Sequence, residues 1–369
     1  MKALLDERCW EFLVHKIYNI LRPLGSVALG LLIGSLVAWV AGENPLAVLK
    51  IMGVGVFGSP YDVGMTLYYA TILSLTGLAV AVPFRCGVFN IGGEGQLLIG
   101  AFCAAIVASQ LASTLELSSF QLSPGMHVLI VVVSAGLAGG VWGSVAGWIR
   151  AYRGGHEVIS SIMLNFIAAA LTSWLTLSFF LAPNSQSPET QEIDPAYMLS
   201  KWAFFEGSPV TSMLLMAFAL SVLLWSLYRF HSFGFKQNAT KSAERAAEIG
   251  GIDISRQRFL AMTLGGVLAG LAGAAMVMSS AGKFRLDMSD GFGFMGIPVA
   301  LLAKGHMMGT FFAAILFAAL HHGASALDLE AQFVTRDLAL IIQAIVVVIV
   351  VVLQARPIGF RKTVTRGNT

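Results

Sequence analysis

Hydrophobic residues along the chain fall into blocks of about 20, and neither the two-residue alternation of a half-buried strand nor a narrow helical stripe accounts for them. Blocks of that length suit helices crossing a hydrocarbon core about 30 Å thick. They run near residues 24–41, 64–83, 94–112, 127–149, 157–181, 209–229, 259–280, 306–326 and 337–355. A shorter stretch, 292–303, covers roughly 18 Å at about 1.5 Å per residue and needs irregular backbone to complete a crossing, so it counts as a tenth, broken segment. The pattern predicts an all-α polytopic membrane protein of about ten transmembrane segments. No polar stretch between the blocks is long enough to fold alone, so residues 1–369 read as a single transmembrane domain.

Composition sharpens this picture. Of the 369 residues, 56% are hydrophobic and only 12% charged, half the charged share of about 25% typical of soluble domains. A net charge of +3 is too small to imply nucleic-acid binding, and its distribution says more than its sum. With ten segments and the N-terminus inside, 18 of the 23 Lys and Arg fall on the inner side, leaving Lys50, Lys201, Lys283, Arg285 and Arg336 outside. Cytoplasmic loops retain positive charge, so both termini are expected in the cytoplasm: segment 1–23 and tail 356–369 inside, loop 183–209 outside, loop 230–258 inside. Asp6 and Glu7 ahead of a long apolar block are unlike a cleaved leader, and the first segment is expected to stay as an anchor. Cys9, Cys86 and Cys103 have neither disulfide-framework nor zinc-site spacing.

Catalytic signatures are absent. No Gly-x-x-x-x-Gly-Lys-Ser/Thr run cradles a nucleotide phosphate. His321 and His322, adjacent on a helix, point about 100° apart and make a poor metal site; they read as polar residues near an outer helix end. The informative stretches are interruptions. Gly87, Gly92, Gly93 and Gly95, interspersed with Asn90, Glu94 and Gln96 between two apolar spans, describe a backbone break whose polar groups must face protein or a wet cavity, not lipid. Glu94 either lies on a path or locks a helix end near Arg85. Gly291-Phe292-Gly293-Phe294, followed by Pro298, forms a second break. Paired breaks in two halves point to a central pathway built from an inverted repeat. Phe89, Phe292 and Phe294 beside them can stack on a ring or serve as core. Asn165, mid-helix in an apolar run, bonds to a neighbouring helix or faces the path. The glycine-rich runs 136–147 and 265–273 allow close helix packing.

Two loops stand out. Loop 183–209 carries Glu189, Glu192, Asp194 and Glu206 and is either solvated or a docking surface for a soluble partner. Loop 230–258 is basic and holds a helical stretch from Ala239 to Ile249. Ala239, Ala243, Ala246 and Ala247 with Gly250-Gly251 give it a small-residue face, rimmed by Glu244, Arg245 and Glu248, suited to a cleft of another protein. An ordinary solvated loop helix is the alternative.

The core Ala239, Ala246, Ala247, Gly251, Ile252, followed by Ala261-Met262 and 266–273, resembles the cytoplasmic coupling loop and next helix of ABC-importer permeases of the branched-chain amino acid, ribose and nucleoside superfamily. The stretch from Gly87 to Gln96 with Gly100-Ala101, and that from Glu157 to Ala168, resemble its nucleoside and simple-sugar branch, and 291–302 completes the set. Lys241 and Ala243 stand where the family usually has Gly and Asn, and Gly155-His156 replaces a Gly-Thr-Asn-like lead. The resemblance implies a permease subunit of a bacterial ABC importer in the cytoplasmic (inner) membrane, not an enzyme. It would form the path for a nucleoside or related sugar-containing solute. The implied partners are a second permease, homologous or identical, a cytoplasmic ABC ATPase and an extracytoplasmic substrate-binding protein. No cofactor is implied on this chain, since ATP belongs to the ATPase. Substrate-path candidates are Phe89, Asn90, Glu94, Gln96, Asn165, Phe292 and Phe294. Coupling candidates are Ala239, Ala243, Glu244, Ala246, Ala247, Gly251 and Ile252. The rival readings are a permease for branched-chain amino acids or a ribose-like sugar, a secondary carrier, for which the interior offers few carboxylates, and a membrane scaffold.

Overall fold

The structure, a computed structural model, describes residues 28–40, 42–117, 124–183 and 185–330 with scattered positions at 25 and between 341 and 352. The expected terminal segments 1–23 and 356–369, and most of the apolar block 337–355, lie outside the described residues. Two compact units divide the chain, residues 1–51 with 327–369, and residues 52–326. The candidate site lies wholly in the second.

Among the described residues every regular element is helical. In order they are α1 Ala28–Val40, α2 Pro45–Phe57, α3 Pro60–Arg85, α4 Gly93–Leu117, α5 Pro124–Arg153, α6 Glu157–Phe179, α7 Met213–Phe230, α8 Ser232–Ser242, α9 Glu244–Ile249, α10 Ile254–Met276, α11 Phe292–Leu302 and α12 Met307–Glu330. A π-helical turn, Val277–Ala281, extends α10. Among the described residues six helices are long and apolar enough to cross a membrane: those at Pro60–Arg85, Gly125–Arg153, Glu157–Phe179, Met213–Phe230, Ile254–Ala281 and Met307–Asp328. The 25 residues of α4, about 37 Å at about 1.5 Å each, also suffice by length. The apolar blocks that lie within the described residues therefore fall on helices, with one omission. At 13 residues and with Lys50 inside it, α2 is too short for a crossing and escapes a search for blocks of about 20.

Helix starts follow local chemistry. Ser59 caps α3 by accepting from the Asp62 N–H at 3.2 Å, while Pro60 supplies the preset φ of the first turn. Asp253 caps α10 through the Arg256 N–H at 2.9 Å. In the apolar windows of α3 and α10, 83% and 78% of residues are buried, against 33%, 22% and 28% for α5, α6 and α7. The first pair is therefore central, while α5 to α7 present apolar residues such as Leu137, Phe166 and Leu223 outward. Glycines let α4, α5 and α10 meet backbone to backbone: an added Cβ on Gly143 would lie 2.8 Å from the Met262 carbonyl. The runs 136–147 and 265–273 do this packing.

The 18 residues of α7 separate the loop 183–211 at one end from α8 and α9 at the other. From the loop end α3 runs to the α8 end, where Arg85 meets Asn238. Running the other way, α10 ends where the Met278 carbonyl accepts the Leu199 N–H at 3.0 Å. Each long helix is followed by an irregular joint, 86–92 or 282–291, and then by another helix, α4 or α11. The two sets run in opposite senses.

The loop is stitched to the 278–288 segment. The Thr190 N–H donates to the Phe284 carbonyl at 2.9 Å and Ile193 N–H to Gly282 at 2.8 Å. Lys283 Nζ bonds Glu189 at 2.9 Å and reaches Glu192 at 3.5 Å. The bond from Lys283, then that from Ser185, holds the Glu189 carboxyl below its usual range, and the Glu189 bond holds Lys283 above its own. The lowered acid contributes hold above its ordinary titration range and loses it as pH falls through the folded value. For the raised lysine the contribution is present below its ordinary range and is lost as pH rises beyond it. Limited proteolysis of the 183–205 loop should accelerate on acidification, and K283M should cleave at the fast rate at neutral pH and lose this pH response. Equal rates for both proteins at every pH would remove the clamp from the account.

Candidate functional site

Joint 86–92 has backbone groups that lipid could not satisfy, and two buried amides satisfy them. Asn90 Nδ2 donates to the Ala79 carbonyl at 3.1 Å and to Gln96 Oε1 at 2.9 Å. Its Oδ1 accepts from Gly92 N–H at 3.0 Å and Gln96 Nε2 at 3.1 Å. From α6, Asn165 donates to the Ile91 carbonyl at 3.0 Å and accepts the Gly95 N–H at 2.9 Å. These three candidates are brought together, as brackets that hold the joint.

Glu94, in the first turn of α4, turns its carboxylate to the start of α11. Its Oε2 accepts the Gly293 N–H at 2.8 Å, with the Ser289 side chain and the backbone of Gly291 and Phe294 also in reach. Two helix N-termini, each a partial positive charge, thus converge on one buried carboxylate. Arg85 turns elsewhere, to the Gly305 carbonyl at 2.8 Å. The helices touch through glycine: a Cβ on Gly93 would lie 3.2 Å from the Gly293 carbonyl, and one on Gly293 would be driven into the Glu94 backbone. The two breaks read from the sequence are one contact in space.

Beside this contact, towards the loop, lies a cavity of about 450 Å³ walled by Tyr68, Tyr69, Ser280 and Phe292, with Arg285, Asp287 and Asp290 at the rim and Ser187-Pro188 of the loop across it. That volume is of the size of small-molecule sites, about 300–1,000 Å³. Tyr69 and Phe292 stack at 5.5 Å and 18°, and His321 meets both rings edge-on at 4.8 and 5.0 Å. His322 faces Asp62 at 3.7 Å, so the histidine pair supports the aromatic wall. Asp287 and Asp290 adopt left-handed backbone, φ 58° and 45°, in the turns that aim the segment at α11. An aromatic wall under a rim of carboxylates and one guanidinium can hold a flat ring and hydrogen-bond its hydroxyl substituents.

Of the three phenylalanines, Phe292 lines the cavity, Phe294 is 43% exposed, and Phe89 packs edge-on to Phe84 at 6.1 Å. Asn90, Glu94, Gln96 and Asn165 are not among the cavity's lining residues. Sequence reading missed Tyr69, Arg285, Asp287 and Asp290. Tyr69 sits in an apolar run without local distinction, and the other three lie in a turn-rich joint.

At the opposite end, the coupling stretch is two helices rather than the one expected from Ala239. The chain leaves helical geometry at Ala243, φ −155° and ψ 79°, with α8 before it and the six-residue α9 after it. An added side chain on Gly234 would meet the backbone of Tyr228, so α8 folds tightly back on α7. Ala247 is buried, whereas Ala243, Glu244, Ala246 and Gly251 are exposed, Ala239 and Ile252 are intermediate, and Ile249 is 89% exposed. Glu244 pairs with Arg258 of α10 at 2.8 Å. Lys241 Nζ donates to the Phe84 carbonyl at 2.9 Å and lies 3.4 Å over the Phe84 ring. Desolvation, then Arg85, holds the Lys241 pKa below the usual lysine range. Through Phe84 and Arg85, α8 therefore grips the end of α3 directly before joint 86–92.

Residues 63–351 match the family described as "Branched-chain amino acid transport system / permease component". The chain is 30% identical over 338 residues to the guanosine ABC transporter permease protein NupP of Bacillus subtilis, covering 90% of this chain and 94% of the relative. To the glucose ABC transporter permease protein TsgB13 of Haloferax volcanii it is 30% identical, covering 89% and 86%. To the nucleoside ABC transporter permease protein NupB of Lactococcus lactis subsp. cremoris it is 30% identical, covering 84% and 85%. No solved structure matches the chain.

Proposed function

The chain belongs to the family of branched-chain amino acid transport system permease components, and from that premise we propose that it forms the translocation path for a nucleoside in an ABC importer of the bacterial cytoplasmic membrane. It is a multi-pass membrane transport component and not an enzyme. The observation that carries the solute reading is the cavity of about 450 Å³ walled by the stacked Tyr69 and Phe292 and rimmed by Asp287, Asp290 and Arg285. A base would lie along the aromatic wall and its ribose hydroxyls would meet the carboxylates. Relatives whose names specify guanosine or nucleoside support that reading.

In this mechanism the partner ATPase closes on ATP and presses α9, a second permease completes the path, and an external binding protein docks over loop 183–209. The loop 230–258, both termini and the α8 end face the cytoplasm, with the charge distribution as support. The push passes from α9 to α8, through Lys241 to Phe84 and Asn238 to Arg85, into joint 86–92. Asn90, Gln96 and Asn165 hold that joint stiff, so its movement reaches Glu94 and the start of α11. From α11, segment 282–291 carries it to the cavity rim and the loop clamp. Phe89 and Phe294 flank the path below. Two oppositely running sets of long helix, joint and helix, touching at Gly93 and Gly293, support an inverted-repeat core of about ten segments.

The test is uptake by the complete transporter in liposomes, with labelled nucleoside against a panel of unlabelled competitors. Purine and pyrimidine nucleosides should compete while glucose and leucine do not. Tyr69→Ala should raise the KM roughly 5- to 100-fold, the size of one lost base-stacking contact, with basal ATP hydrolysis unchanged. Carboxylates beside an aromatic wall also suit a sugar, and a glucose permease is among the relatives; equal competition by glucose would transfer the assignment to that solute. Uptake without ATP or the ATPase would instead favour a secondary carrier.

A further inference from the structure

At the α8 end a second cavity, of about 250 Å³, opens between the last turns of α3 and α7, the middle of α8 and the start of α12. Arg85, Arg229, Asn238 and His306 line it between the rings of Trp225 and Tyr228, and no carboxylate is among its lining residues. The polar groups around it are committed in a consistent way. Arg85 uses Nε on the Gly305 carbonyl at 2.8 Å and one Nη1 hydrogen on Asn238, which leaves its other Nη hydrogens to donate. Asn238 Oδ1 accepts from Arg85 at 3.5 Å, so its NH2 remains as donor. His306 Nδ1 accepts the Gly309 N–H at 3.1 Å, which fixes the neutral ring's proton on Nε2. The Tyr228 hydroxyl is already given to Gln237.

The cavity is thus built of donors and cations, with no acceptor of opposite charge. The described ion pairs of the protein involve none of Arg85, Arg229 or His306. Arg85 and Arg229 share the site as like charges. Such a group of cations is neutralised by an anion, and a guanidinium fork matches the paired oxygens of a phosphate. We propose that this cavity binds a phosphate ester, either the headgroup of an anionic lipid or a soluble phosphate-bearing molecule. Its volume, below the about 300 Å³ where whole small-molecule sites begin, fits the phosphate with a glycerol- or sugar-sized substituent. Occupancy would tie Asn238 of α8 to Arg229 of α7 and His306 before α12, bracing the element that grips joint 86–92. This site does not depend on which solute is carried.

Binding is read on the complete detergent-purified transporter by native mass spectrometry and thermal unfolding. The probes are dioleoylphosphatidylglycerol, glycerol 3-phosphate and inorganic phosphate, with dioleoylphosphatidylcholine as the zwitterionic comparison. The anionic probes should bind saturably and raise Tm, and R229Q and H306Q should each weaken binding roughly tenfold, the scale of one charge-assisted contact. Arg85 is left intact because it also holds the Gly305 carbonyl. Binding of phosphatidylglycerol alone assigns the site to lipid, and binding of glycerol 3-phosphate or phosphate assigns it to a soluble ester. Failure of every anionic probe, binding no tighter than phosphatidylcholine, or binding unchanged in both variants overturns the proposal.

Discussion

Gly293→Ala is expected to reduce uptake to background while the protein still inserts in the membrane. Its Cβ would meet the Glu94 backbone, which cannot swing aside as a side-chain end can, and would crowd the Glu94 carboxylate at 2.6 Å as well. Helices α4 and α11 must then part, and the Gly293 N–H to Glu94 bond is lost with them. Overpacking of this kind costs about 1–3 kcal/mol, and a buried donor left without its acceptor about 1–3 kcal/mol more. That is enough to shift the two helix starts without unfolding a bundle held by many other contacts. Two companion variants separate geometry from charge. Glu94→Gln keeps an acceptor for the Gly293 N–H and should retain part of the uptake, while Glu94→Ala should resemble Gly293→Ala. Uptake by the G293A transporter in proteoliposomes at the unsubstituted rate would detach the Glu94–Gly293 contact from transport.

The second large effect is expected at α9. Ile249 is 89% exposed and Ala246 is exposed beside it, while Ala247 is buried in the chain's own fold. If α9 seats in a cleft of the ATPase, burying Ile249 contributes about 1.5–3 kcal/mol, so Ile249→Glu should weaken association with the ATPase roughly 10- to 100-fold. Ala246→Trp, which adds bulk on the exposed side, should do the same and abolish uptake. Co-purification of the ATPase and ATP-driven uptake are the two readouts. Substitution at Ala247 is a poorer test, because it disturbs the fold before it reaches any partner. Full ATPase retention and uptake in the Ile249→Glu, Ala246→Trp double variant would make α9 an ordinary solvated helix.

Much of the helical layout was legible along the chain because lipid imposes a length and an apolarity on every spanning helix, and both are local properties. The blocks 64–83, 157–181 and 306–326 accordingly fall on α3, α6 and α12. Helix α2 was missed for the same reason, being apolar but too short for the criterion. Glycines and polar residues marked joints 86–92 and 282–291, since backbone outside helices has to be satisfied by something other than lipid. What the marks could not convey was their relation: 199 residues separate Glu94 from Gly293, and nothing in either stretch names the other.

Function-bearing detail divides along the same line. Family membership, the apolar spans and the two breaks belong to the sequence, because each rests on residue types at fixed spacing. Only the tertiary structure decided that Asn90, Gln96 and Asn165 spend their amides on the joint, that Glu94 caps a helix other than its own, and that Tyr69 joins Phe292 in a cavity wall. It also split the coupling stretch at Ala243 and aimed Lys241 at Phe84. These are choices among hydrogen-bond partners and ring neighbours far apart along the chain, and the close approach of backbones, made possible by glycine, is what brings them within reach.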